Sequence, residues 1–353
     1  MRFNLEVMEC NENKIELRGL SLEEVESFVL SVGEPKYRAK QIFEWIYKGV
    51  SNFEEMKNLP QKLILKLEEK TQLSTVQIAK MQSSKSDGTR KYLLRLRDEN
   101  FVEAVFMKYK YGNSLCLSTQ VGCRMGCKFC ASTLNGLARN LSTEELISQL
   151  MEVERDTGER ISHIVLMGIG EPFDNYTNIA KFLRILNHKS GLSLSMRNIT
   201  VSTCGIVPMI EIFAKDFPQA NLAISLHSAD NLKRSALMPI NRRYPLEEII
   251  SACKKYIELT NRRITFEYTL IQGENDDAES ASKLSKLLRG LNCHINLIRL
   301  NKVEETGFEG TSAESARKFQ MLLANKGIQT TVRRELGSDI DAACGQLRLN
   351  AEQ

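Results

Sequence analysis

From residue 114 onward the chain alternates short apolar runs with amphipathic helical segments, and that order admits few folds. Strand-like runs cover 114–118, 161–168, 198–203, 221–228, 263–271 and 294–301; helical patterns cover 142–156, 174–188, 206–216, 245–260, 277–291 and 311–326. Six such repeats predict an α/β protein with a parallel sheet buried on both faces. They suit a doubly wound sheet or an incomplete barrel, and the pattern does not choose between them. In either fold, functional residues gather where strands end. Cys123 to Cys130 follow the first run, Gly168 to Pro172 the second, and Ser202 ends the third; Ser225 to His227 end the fourth and Asn301 the sixth.

The stretch before this alternation differs. Residues 1–88 read as a small helical unit, with a capping box at Ser21 to Glu24, a second amphipathic segment that puts Ala39, Ile42, Phe43 and Ile46 on one face, and Pro60 opening a third. Residues 89–108 read as a β-hairpin connector, KYLLRLR and FVEAVFMK turning at Asp98-Glu99-Asn100. A core over 109–335 and a tail over 336–353 complete the division. Charges interrupt every apolar run at the N-terminus, which argues against a signal peptide, and no run reaches the roughly 20 apolar residues of a membrane span. Nine cysteines in 353 residues are too few and too clustered for a secreted disulfide scaffold, so a reducing cytoplasm is the expected location. The formal net charge of +4 is compatible with a nucleic-acid partner without requiring one.

Cys123-Arg-Met-Gly-Cys127-Lys-Phe-Cys130 is a C-x3-C-x2-C loop, with Gly122 and Gly126 supplying tight backbone. Three clustered thiolates favour a soft metal. A structural zinc, and with it a non-catalytic RNA-binding role, is the alternative; it needs a fourth ligand, and the next histidine is His163. An iron–sulfur cluster held by three cysteines keeps one iron open to a small molecule.

This spacing, with Phe129 before the third cysteine, resembles the radical S-adenosylmethionine (SAM) superfamily. GEPKYRAKQIFEWIY, SLCLSTQVGCRMGCKFCASTLNGLARNLS, MGIGEPFDNY, SLHSADNLKRSALMPINRRYPL, NLIRLN and GSDIDAACGQL together resemble the RlmN/Cfr family of RNA adenine methyltransferases. The resemblance implies a partial (βα)6 barrel with the helical domain and hairpin as extensions. It implies one [4Fe–4S] cluster on Cys123, Cys127 and Cys130, two SAM per turnover, and methylation of 23S rRNA and of tRNA. It also implies a monomer that takes electrons from a donor such as flavodoxin. Pro172 favours the branch that methylates adenine carbon 2 over the carbon-8 branch.

In the family mechanism one SAM methylates a cysteine, a radical made from a second SAM takes a hydrogen from that methyl, and the carbon radical adds to the base. By resemblance, Cys344 is the methyl-accepting cysteine, Cys116 resolves the adduct through a transient disulfide with Cys344, and Glu103 matches the proton acceptor, with Cys116 the alternative remover of the carbon-2 proton. Gly170, Glu171, Ser202, Ser225, Leu226, His227 and Asn301 match SAM-contacting positions. Cys10, Cys204, Cys253 and Cys293 match none and are assigned to packing. Lys108 to Tyr111, Arg139-Asn140, Asn241 to Tyr244 and Arg333-Arg334 offer phosphate partners for RNA.

Overall fold

The computed structural model describes residues 14–73, 76–342 and 345–347. Cys10 and the expected methyl carrier Cys344 lie outside the described residues.

Three helices open the chain: α1 (Leu22–Ser31), α2 (Tyr37–Tyr47) and α3 (Gln61–Lys70), flanked by the short strands β1 (Ile15–Glu16) and β2 (Thr71–Gln72). Ser21 caps α1 with the reciprocal Glu24 bond that the sequence indicates, and Ala39, Ile42, Phe43 and Ile46 are all buried on α2. Residues 77–83, expected to be helical, instead form strand β3 (Gln77–Ser83). Most of its side chains are exposed, so it lacks the one-sided apolar signal of a half-buried strand. Its place comes from antiparallel pairing with β4 (Arg90–Arg95), with a bulge between Ile78 and Lys80. β4 turns at Asp98 to Asn100 into β5 (Phe101–Tyr109), with Glu99 at φ 61°.

β5 pairs antiparallel with β6 (Gly112–Cys116), and from β6 onward the pairing is parallel: β9 (His163–Leu166), β10 (Ile199–Thr203), β11 (Asn221–Ser225), β12 (Ile264–Leu270), β13 (Cys293–Arg299) and β14 (Thr330–Val332). The hairpin therefore continues the main sheet, giving ten strands in the order β14-β13-β12-β11-β10-β9-β6-β5-β4-β3. That order never reverses. A doubly wound sheet requires a reversal, so the fold is the singly wound, incomplete barrel. The crossover helices are α4 (Thr143–Thr157), α5 (Tyr176–Asn187), α6 (Val207–Asp216), α8 (Leu246–Thr260), α9 (Ala278–Leu287) and α10 (Ala313–Ala324). Two features went unread in the sequence: β14, a seventh parallel strand, and α7 (Asn231–Leu237), a short helix after β11 capped by Asp230. A small hairpin, β7 (Gln120–Gly122) with β8 (Leu137–Asn140), frames the cysteine loop. No helix among the described residues is long and apolar enough to cross a membrane.

Candidate active site

The cysteine loop is closed by backbone contacts that only glycine tolerates. Gly122 has φ +76°, and a Cβ there would lie 1.9 Å from the Gly136 carbonyl oxygen, which accepts a hydrogen bond from the Cys123 amide (2.8 Å). Thr133 Oγ1 donates to the carbonyls of Cys127 (3.1 Å) and Cys130 (3.0 Å). Arg124 pairs with Asp174, joining the loop to the segment after β9. Cys123, Cys127 and Cys130 thus line one cavity with Gly170, Glu171, Ser202, Ser225 and His227, which lie at the ends of three strands.

This donor set fits an iron–sulfur cluster. Burial pushes the Cys123 thiol up to about 12 and raises that of Cys127, and the neighbouring thiols add to both shifts. Thiolates crowded in this way are stable only against a cationic partner.

Glu171 is buried, and its two carboxylate oxygens accept from the amides of Phe173 (3.0 Å) and Cys204 (2.7 Å). Desolvation raises its pKa, an effect those hydrogen bonds oppose. A carboxylate oxygen accepts more than one bond, so Glu171 can still receive an ammonium. The glycines before it serve the protein's own packing: a Cβ at Gly168 would meet the Leu117 carbonyl at 2.6 Å, and one at Gly170 would meet Gln120 at 2.6 Å. His227 sits at φ 55°, an uncommon conformation for a residue with a side chain. Its Nδ1 accepts from the Thr269 amide (2.9 Å), which leaves the proton on Nε2. Burial, aided by Arg234, pushes its pKa down to about 3, so the ring is a neutral donor.

Two expected SAM-contacting residues lie elsewhere. The Leu226 side chain is fully buried in the hydrophobic core, behind the cavity wall. Asn301 lines a second, adjoining cavity with Cys116, Val105, Met107, Met167, Arg333, Leu336, Ala342 and Leu347. Met167 and Arg333 border both cavities. Cys116, ending β6, is buried and lies laterally next to Val105 of β5, which is itself opposite Lys91 of β4. Glu103, two residues before Val105, therefore shares that face. The sequence favours a solvent-facing glutamate there; it is buried and paired with Lys91 Nζ at 2.9 Å. Lys91 also donates to the Asp341 carbonyl in the tail (3.2 Å).

Two residues that line the first cavity were not singled out for it in the sequence. Glu267 lines the first cavity and accepts from Asn296 (2.8 Å); a carboxylate inside an apolar strand was the available signal. Cys204, assigned to packing, lines that cavity too. Of the basic RNA candidates, Arg139 is committed to Glu145 through two 2.8 Å bonds and to Asp98 at 2.7 Å, and Lys108 pairs with Glu159 at 2.8 Å.

A three-cysteine loop above the strand ends of a parallel partial barrel is the arrangement of radical SAM enzymes, and the Radical SAM superfamily model matches residues 117–284. The model described as Ribosomal RNA large subunit methyltransferase N-terminal domain matches residues 15–73. A probable dual-specificity RNA methyltransferase RlmN of Clostridium botulinum (strain Alaska E43 / Type E3) is 51% identical over 93% of this chain and 94% of its own. One from Clostridium perfringens (strain SM101 / Type A) is 53% identical over 93% and 95%. The crystal structure of a radical SAM methyltransferase from Sphaerobacter thermophilus superposes with a TM-score of 0.92 at 42% identity, covering 95% of this chain and 100% of that one. The chain belongs to the RlmN family of dual-specificity RNA methyltransferases.

Proposed function

We propose that this protein methylates carbon 2 of adenine in 23S rRNA and in tRNA, with Cys344 carrying the methyl group as S-methylcysteine and Cys116 releasing the product. The observation that carries this reading is the pairing of two cavities across Met167 and Arg333, one walled by the cluster cysteines and the other by Cys116. The residues flanking Cys344 support it. Ala342 and Leu347 line the Cys116 cavity, while Gly345 lines the cluster cavity and accepts from the Ala131 amide at 2.9 Å.

Cys123, Cys127 and Cys130 would hold the cluster, with Glu171 and neutral His227 offering an acceptor and a donor to SAM. Bound there, cluster and SAM supply an electrophilic methyl group and one-electron chemistry. The protein's own part is to fix positions and move protons. Glu103, held by Lys91 on the Cys116 face, accepts the carbon-2 proton. Cys116, as thiolate, attacks the Cys344 sulfur; the bond from that sulfur to the methylene carbon breaks, its electron pair goes to that carbon and its attached base, the carbon takes up a proton to become the methyl group, and a disulfide is left. The apolar lining from Val105, Met107 and Leu336 excludes water from the covalent intermediate.

Anaerobic reconstitution, incubation with methyl-labelled SAM and either 23S rRNA or tRNA, and nucleoside mass analysis test this. 2-Methyladenosine from both RNAs is expected. 8-Methyladenosine would overturn the choice of carbon, and unlabelled RNA would overturn the reading.

A further inference from the structure

Arg234 carries a charge that the chain does not answer. It is 0% exposed on α7. Its Nε donates to the Leu226 carbonyl (3.0 Å), Nη1 to Asn241 Oδ1 (2.9 Å), and Nη2 to the carbonyls of Cys204 (2.8 Å) and Ser225 (3.0 Å). Every acceptor is neutral. Among the described residues no carboxylate comes within ion-pair distance of it; Glu171 binds the amide of Cys204 while Arg234 binds that residue's carbonyl. A guanidinium does not shed its proton, and a buried charge without a counter-ion is costly.

The place of α7 indicates what the counter-ion is. The Lys128 amide, inside the cysteine loop, donates to the Leu237 carbonyl of α7 (2.9 Å), and a Cβ at Gly126 would touch Pro239 at 3.6 Å. Cys204, whose carbonyl Arg234 holds, lines the cluster cavity.

We propose that Arg234 is the buried counter-charge of the iron–sulfur group on Cys123, Cys127 and Cys130, and that it raises that group's reduction potential. This rests on the cluster reading above. A dicationic iron–sulfur core with three thiolates bears one net negative charge, and accepting one electron from a low-potential donor doubles it. A fixed cation therefore favours the reduced state, since cluster potential follows local charge as well as hydrogen bonding and solvent exposure. The same guanidinium holds the ends of β10 and β11 together through the Cys204 and Ser225 carbonyls. A purely structural role would stop there and would depend on hydrogen-bond geometry, not on charge.

The test uses the reconstituted full-length protein, titrated with dithionite and followed by electron paramagnetic resonance without SAM. The wild type should take up iron and give a reducible cluster. Arg234→Gln should lower the reduced-to-oxidised ratio about tenfold at the wild-type midpoint, which is about 59 mV for a one-electron couple, while Arg234→Lys stays within about threefold. If Arg234→Gln does not hold the cluster, Asn241→Asp sets a carboxylate against Nη1 and should shift the potential in the same direction. An unmoved midpoint in Arg234→Gln or Asn241→Asp, or a lysine variant shifted as far as the glutamine one, would overturn the inference. Failure of the wild type to take up iron would instead overturn the cluster reading.

Discussion

Cys116 is buried between Val105 and the second cavity, so a bystander role and a chemical role make opposite forecasts for its removal. If it resolves the adduct, Cys116→Ala leaves methyl transfer to Cys344 and attack on the base intact, and the reaction stalls with RNA bonded to the protein. A shifted band on denaturing gels should appear in Cys116→Ala and vanish in the Cys116→Ala, Cys344→Ala double variant. Free methylated RNA with no band would mark Cys116 as packing alone. The Lys91–Glu103 pair permits a separate measurement. Both side chains are about nine-tenths buried, so Lys91→Met removes the cation paired with Glu103 and should cost about 3 kcal/mol, as breaking a buried ion pair does. Urea unfolding should find much of that loss recovered in Lys91→Met, Glu103→Gln, because the buried carboxylate charge is then removed as well. No recovery would place the cost in packing.

At the scale of elements, the β7–β8 hairpin is what turns three cysteines into one site. Its two glycines separate steric contact from backbone preference. Both Gly122 and Gly136 have positive φ, but a Cβ at Gly122 strikes the Gly136 carbonyl, whereas one at Gly136 meets nothing within 4 Å. Gly122→Ala should therefore open the loop and lose most of the iron. Gly136→Ala should cost only about 1–2 kcal/mol of backbone strain and keep it. Iron content and visible absorbance after reconstitution distinguish these outcomes; equal iron in the two would show that the hairpin contact does not hold the loop.

Across the whole molecule, the N-terminal helices are joined to the barrel through buried charge. Arg18 pairs with Glu152 of α4 at 2.9 Å, and a Cβ at Gly19 would strike the Glu144 backbone at 2.5 Å. Beside them, Glu16 has both carboxylate oxygens buried without a hydrogen bond, and its cation Arg97 stands 3.9 Å away. Burial pushes its carboxyl up to about 8 from the ordinary value of 4.5. The folded protein then binds a proton more tightly than the unfolded chain, so Glu16 subtracts stability as pH rises from about 4.5 to 8 and no further above that. Glu16→Gln should remove this fall and stabilise the protein at pH 9 by up to about 5 kcal/mol, with little effect at pH 4. Melting curves across that range test it, and parallel wild-type and variant profiles would count against it.

The repeating order of strands and helices, the cap at Ser21, the apolar face of α2 and the spacing of the three cysteines were legible in the sequence, because each depends on residues close together in the chain. Singly wound topology was not, since it depends on which strand lies beside which. Strand β3 was hidden for a related reason: an exposed edge strand is specified by its neighbour's hydrogen bonds, and its own side chains bury little. The burial of Glu103 against Lys91, the division of the expected SAM residues between two cavities, and the isolation of Arg234 all join segments distant in sequence. Charge and burial at those positions arise from what the fold packs around them, and only the tertiary structure decides that.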